Sequence, residues 1–100
     1  MVYVDDAEVS KYGRNWFHLT ADSLAELHAF AAAIGVPNRA FHVGARHPHY
    51  DVTEAQRIQA LRRGAKPVNA REIVRVAKRA AIHAVREARS CRQSQLALFV

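Results

Sequence analysis

The sequence predicts a small single α+β domain, in which a short sheet of three to four strands packs against about three helices. Three observations carry that reading. One hundred residues, half of them hydrophobic, suffice for one core and leave no material for a second. Short β-rich runs crowd the front of the chain, while the back carries helical spacing. Three Ser, Thr or Asn residues are each followed three positions later by Glu or Gln, which marks three helix starts.

Val2-Tyr3-Val4 reads as a strand that delivers Asp5 and Asp6 at its end. Lys11-Tyr12-Gly13-Arg14-Asn15 carries turn chemistry, and Trp16-Phe17-His18-Leu19-Thr20 makes a second strand. Ser23 with Glu26 opens a helix to about Ile34, with Leu24, Leu27, Phe30, Ala31 and Ile34 as its buried stripe. Gly35 ends it, and Pro37 prevents its resumption. Residues 40–43 form a third short strand, and residues 44–50, rich in Gly, Pro and polar rings, an ordered loop. Thr53 with Gln56 starts a second helix that stops near Gly64. Asn69 with Glu72 opens the longest helix, to about Arg89. The domain thus spans residues 1–90, and residues 91–100 form a tail.

No apolar run approaches the roughly 18 residues of a transmembrane helix, and the first residues lack the apolar core of a signal peptide. The lone Cys91 excludes an internal disulfide and a multi-cysteine zinc module. A cytoplasmic protein without a membrane partner is expected.

Charge divides the chain. Residues 1–56 hold four basic residues against seven acidic ones, a balance of −3. Residues 57–100 hold eleven basic residues against only Glu72 and Glu87, a balance of +9, so the whole carries +6. Twelve of the fifteen basic residues are arginine, whose planar fork suits phosphate. On a wheel at about 100° per residue, Arg71, Arg75, Lys78, Arg79, Arg86, Arg89 and Arg92 share an arc of roughly 140°. Ile73, Val76, Ala77, Ala80, Ala81, Ala84 and Ala88 occupy the other side, with Val74 and Val85 at the border of the cation arc. One face therefore packs on the domain, and the other presents cations able to follow a phosphate backbone without reading bases. A solvated surface helix is the rival reading.

The chain ends in an apolar run, Gln95-Leu96-Ala97-Leu98-Phe99-Val100, at a terminus where polar sequence is usual. Burying Leu96, Leu98 and Phe99 would stabilise by roughly 1.5–3 kcal/mol each, so something should cover them. One reading adds a final edge strand to the sheet. The other is a linear motif: Gln95, Leu96, Leu98 and Phe99 resemble the Q-L-x-L-F peptide with which bacterial replication and repair proteins dock on the DNA polymerase sliding clamp.

Five of the six histidines fall between His18 and His49, among carboxylates. Asp5, His18, His28, His49 and Asp51 are candidate ligands for a divalent metal such as Zn²⁺, Mn²⁺ or Mg²⁺, which could activate water against a phosphodiester. Asp5, His18, His49 and Asp51 also suit acid–base chemistry, with Arg14 and Arg57 neutralising charge on a phosphoryl group. Asp6 and Asp22 lie nearby in sequence, and Asp22 or Asp51 could simply cap helices. His42, His47 and His83 have weaker claims.

Tyr3-Val4-Asp5-Asp6, Tyr12-Gly13-Arg14, His18, Ala21-Asp22, Glu26-Leu27-His28, Ile34-Gly35, His49-Tyr50-Asp51, Arg57 and Gly64-Ala65 follow a recognisable order. Over about residues 1–75 the chain resembles a short bacterial and phage family catalogued as domain of unknown function 4031. The resemblance implies no activity. It implies that these Asp and His positions, with Arg14 and Arg57, are the family's shared polar set, which suits a site.

The expectation is a DNA-associated protein. Its basic helix holds nucleic acid, its tail docks on the sliding clamp, and its front cluster forms a metal-dependent phosphodiesterase site. The alternatives are a non-catalytic module for a nucleotide or other phosphorylated ligand, with a homo-oligomer allowed, and a regulator that blocks the clamp.

Overall fold

The computed structural model describes residues 1–42 and 47–98, the last nine of them as backbone only. Strands β1 (Val2–Asp5), β2 (Val9–Lys11) and β3 (Arg14–Ala21) lead into helix α1 (Leu24–Ala33). A 3₁₀ turn (Asn38–Ala40) precedes β4 (Phe41–His42) and β5 (His49–Thr53). Helix α2 (Glu54–Arg62), strand β6 (Lys66–Val68) and helix α3 (Ala70–Leu98) complete the chain. The sheet runs β4-β5-β3-β1-β6, with β2 also paired to β3.

The α+β class and three helices stand, but the sheet is larger than expected, with six strands. The additions are short. β2 and β6 have three residues each, too few for a period-two signal, and the Pro67 of β6 is tolerated because that strand lies at the sheet edge. β5 begins at His49, inside the segment expected to be loop.

All three capping pairs form. Ser23 Oγ accepts from Glu26 N at 3.2 Å, and Asn69 Oδ1 accepts from Glu72 N at 2.9 Å. Thr53 and Gln56 exchange both bonds of a capping box, at 3.2 and 2.9 Å. Gly35, at φ +78°, reverses the chain after α1 so that Val36 N–H reaches the Ala31 carbonyl at 2.9 Å and Val36 tucks into the core.

β3 is the central strand, and its alternation sets the two faces of the sheet. Phe17, Leu19 and Ala21 point into a core with Val4, Tyr50, Val52, Leu27, Ala31 and Ala60, which α1 and α2 cover. Trp16, His18 and Thr20 point to the opposite face, where α3 packs on β1 and β3 through the buried Ile73, Val76, Ala77 and Ala80. The cations Arg71, Arg75, Lys78, Arg79, Arg86 and Arg89 are all exposed, as the wheel requires.

Two expectations about α3 change. Its apolar side loses its cover after Ala80: Ala81 and Ala84 are only half-buried and Ala88 is exposed, so the outer part of the helix runs past the edge of the domain. The helix also continues through Leu98 rather than fading after Ser90, so Gln95, Leu96 and Leu98 lie on helical backbone and not in an edge strand. Phe99 lies outside the described residues. Among those residues, no helix is long and apolar enough to cross a membrane.

Candidate metal centre

The register of the sheet assembles the site. His18 on β3 pairs directly with Asp51 on β5, and His49, two residues back on β5 and so on the same face, pairs with His42 on β4. On the other flank, Val4 pairs with Leu19, so Asp5 at the end of β1 comes alongside His18. Four neighbouring strands thus carry one row of polar groups, Asp5, His18, Asp51 with His49, and His42.

Local sequence sharpens this placement. β1 and β2 lie along one edge of β3, but residues 6–8 loop out between them. The bulge leaves the His18 N–H without a main-chain acceptor, and the Asp5 carboxylate takes its place at 2.8 Å. The second Asp5 oxygen meets His18 Nδ1 at 2.7 Å. Asp5 is fully buried, so its charge is satisfied by these bonds rather than by water. Arg57 anchors the same residue from below: its Nε donates to the Asp5 carbonyl at 2.9 Å, and its guanidinium lies over the Phe17 ring.

With Nδ1 engaged, His18 presents Nε2 to Asp51, 4.0 Å from Oδ1. His49 is oriented in the same sense. Its Nδ1 donates to the His47 carbonyl at 2.8 Å, which leaves Nε2 3.4 Å from Asp51 Oδ1. A carbonyl can only accept, so neutral His49 must keep its proton on Nδ1 and an open lone pair on Nε2. His42 Nε2 lies 2.7 Å from the other Asp51 oxygen. The rings of His18 and His49 meet edge-on at 5.0 Å, and those of His42 and His49 stack at 5.3 Å.

Donor atoms of His18, His49 and Asp51 all lie within 4.8 Å of one another. Ligands about 2.1 Å from a common cation are separated by roughly 3–3.5 Å, so the cluster must close by about 1 Å around an ion. His49 and Asp51 already sit at that spacing. Two imidazoles and one carboxylate, each imidazole held by an outer acceptor, match the chemistry of a divalent transition-metal site. A cavity of about 130 Å³ flanks it, between Asp5, His18, His47 and His49 and the α3 side chains Ala70, Ile73, Val74 and Ala77.

Environment separates the two imidazoles electrostatically. The hydrogen bond to Asp5 is the main influence on His18 and raises its pKa above the usual histidine value. Burial lowers that of His49, which favours the neutral form a metal needs.

Of the residues singled out from sequence, Asp5, His18, His49 and Asp51 converge. Asp5 stands behind His18 as its orienting partner, not within the three-donor group. His28 does not join them: it lies on the opposite face, with Nδ1 2.7 Å from the Tyr50 hydroxyl and its ring against Phe41. Its grouping with the ligands is corrected by the alternation of β5, which sends Tyr50 away from His49 and Asp51. Arg57 is a strut for the Asp5 backbone on the core side and does not face the cluster. Arg14, at the start of β3, shares a groove with His42 and Asp51. Asp22 lies outside the site, 3.6 Å from Arg79, and Arg75 is 3.6 Å from Glu72. Gln95, Leu96 and Leu98 are distant in sequence from the cluster, on the outer end of α3.

Sequence reasoning gave His42 only a weak claim. The available signal was its place in the expected strand at residues 40–43, from which it could pair with a histidine-bearing neighbour. Register alone decides that pairing.

No curated protein and no solved structure matches the chain. A family model described as "Protein of unknown function (DUF4031)" matches residues 2–80. That span takes in the whole histidine–aspartate row and the docked part of α3, and it excludes Arg86, Arg89 and the Gln95–Phe99 motif. On a match over most of its length, the chain belongs to the DUF4031 family.

Proposed function

We propose that this protein is a nucleic-acid-associated, divalent-metal-dependent phosphodiesterase. One observation carries the reading: His49 Nε2 and the Asp51 carboxylate, both electron-pair donors, face each other at 3.4 Å, with His18 Nε2 aimed at the same point. Lone pairs brought together in a half-buried site repel unless a proton or a metal cation lies between them, and three donors aimed at one point suit the metal. Zn²⁺ or Mn²⁺ suits two imidazoles and a carboxylate better than Mg²⁺, which prefers all-oxygen ligands.

A bound ion would supply Lewis acidity and an acidified water. The chain's own groups do the rest. Asp5 holds the His18 ring, the His47 carbonyl holds that of His49, and His42, on the solvent side of Asp51, relays a proton. Water oxygen adds to phosphorus as the ester P–O bond breaks. One water proton passes to the His42–Asp51 pair, and the departing oxygen takes a proton in return.

The exposed cations of α3 support nucleic acid as the source of the phosphodiester, by charge and spacing. The proposal includes docking of the Gln95-Leu96-Ala97-Leu98-Phe99 segment on the sliding clamp, on the strength of its sequence pattern.

The test is metal uptake followed by turnover. Purified protein should bind one Zn²⁺ or Mn²⁺ per chain by calorimetry and then hydrolyse bis(p-nitrophenyl) phosphate or a labelled oligonucleotide. His18→Ala, His49→Ala and Asp51→Ala should each weaken uptake about 100-fold or more. Absence of uptake removes the hydrolase reading. Uptake without turnover leaves a binding module for a phosphorylated ligand.

A further inference from the structure

Next to the cluster, on the part of the sheet that no α3 residue lines, lies a groove of about 770 Å³. His42 and Asp51 form one part of its wall, and Lys11, Tyr12, Arg14, Trp16 and Arg39 line others. Three cations against a single carboxylate make this lining attractive to phosphate, and two aromatic rings add surfaces on which a base can stack.

Tyr12 is the most informative of these residues. It is 86 % exposed, so its ring contributes nothing to the core. It also occupies the first position of the two-residue Tyr12-Gly13 turn between β2 and β3, at φ +53°. Turns of this kind need positive φ at both central residues and favour Asn, Asp or Gly. A tyrosine there carries backbone strain with no packing in return. Lys11 Nζ lies 5.4 Å from the Tyr12 ring centroid, and Trp16 Nε1 donates to the Lys11 carbonyl at 2.8 Å, which fixes the indole across the same hairpin. The turn thus displays a ring that folding does not require, beside cations and an oriented indole.

We infer that this groove binds single-stranded nucleic acid. A base stacks on Tyr12, and Arg14 and Arg39 hold the adjoining phosphates on the way to Asp51 and His42. A duplex keeps its bases paired and stacked, out of reach of exposed rings, so a single strand fits this lining where a double helix does not. The fate of the strand at the cluster rests on the metal-dependent reading above; its binding in the groove does not.

Trp16 is the only tryptophan in the chain, so its emission reports on the groove directly. Titration of the purified full chain with a short oligothymidylate, with and without Zn²⁺, should give saturable quenching. Tyr12→Asn, which suits the left-handed turn and removes the ring, should weaken binding about 5- to 100-fold. Arg14→Ala combined with Arg39→Ala should weaken it at least tenfold and flatten its salt dependence. Zn²⁺ uptake should be unchanged in these variants, and circular dichroism verifies their fold. An unresponsive Trp16 with normal Zn²⁺ uptake overturns the groove and spares the metal reading. Quenching without Zn²⁺ uptake does the reverse. Equal affinity for duplex, with equal sensitivity to Tyr12→Asn, also overturns the single-strand inference.

Discussion

Asp5 shows how one residue ties backbone to chemistry. Its buried carboxylate accepts from both the main-chain N–H and the ring Nδ1 of His18, while Arg57 holds its carbonyl. Asp5→Asn keeps an oxygen for the His18 N–H, so the fold should survive, but the anion that orients the ring is lost. Metal affinity should fall about 10- to 100-fold, measured by calorimetry. The pH dependence follows from the same contacts. His18, whose pKa is raised first by its hydrogen bond to Asp5, contributes stability that is full below its unfolded value of about 6.5 and is lost as pH rises through the folded value. His49, lowered chiefly by burial, acts oppositely: its contribution is present above its unfolded value and lost as pH falls through the folded one. A cation entering the cluster must therefore displace a proton from His18 at any pH below its raised folded pKa. Calorimetry in buffers of different ionisation enthalpy should show more proton release at pH 6.5 than at pH 8, and Asp5→Asn should reduce it.

At the scale of the element, helix α3 divides into two regimes. Up to Ala80 it is a wall of the site, with small residues where the helix must approach the sheet and Asp5 closely. From Ala81 to Arg89 the same alternation of cations and apolar residues continues, but no side chain there is more than half-buried. Val76→Ala, at a fully buried position, should lower unfolding stability by about 2 kcal/mol, whereas Val85→Ala, half exposed, should change it by less than about 0.5 kcal/mol. Equal costs in urea unfolding would show that the outer helix is packed after all. The strand elements teach a different lesson. Capping pairs foretold every helix start to within a residue, because a cap is a contact between residues three apart. β2 and β6 escaped notice because their existence depends on partners far along the chain.

Across the whole molecule, charge and site are arranged on one side of the sheet. The histidine–aspartate row, the α3 layer and the groove all lie on the Trp16–His18 side, and the apolar core lies on the other. Binding of duplex DNA through α3 should weaken steeply with salt. Replacing Arg86 and Arg89 together should reduce the slope of log K against log salt by about 2, measured by anisotropy. Truncation after Ser94 should abolish capture by an immobilised sliding clamp; undiminished capture would remove the tail from the proposal.

Read alone, the amino acids determined the class of the fold, the three helix starts, the amphipathic division of α3 and the membership of Asp5, His18, His49 and Asp51 in a polar set. The first three are consequences of short-range spacing and of side-chain chemistry, and the polar set is what the family resemblance implied. Only tertiary structure decided that His42 joins the row, that His28 turns away from it, that Arg57 braces a backbone carbonyl instead of meeting a substrate, and that Tyr12 stands over a groove. The reason is strand register: the side-chain period of a strand is two, so a single-residue change in pairing sends every group on it to the opposite face, and no local pattern encodes which pairing wins.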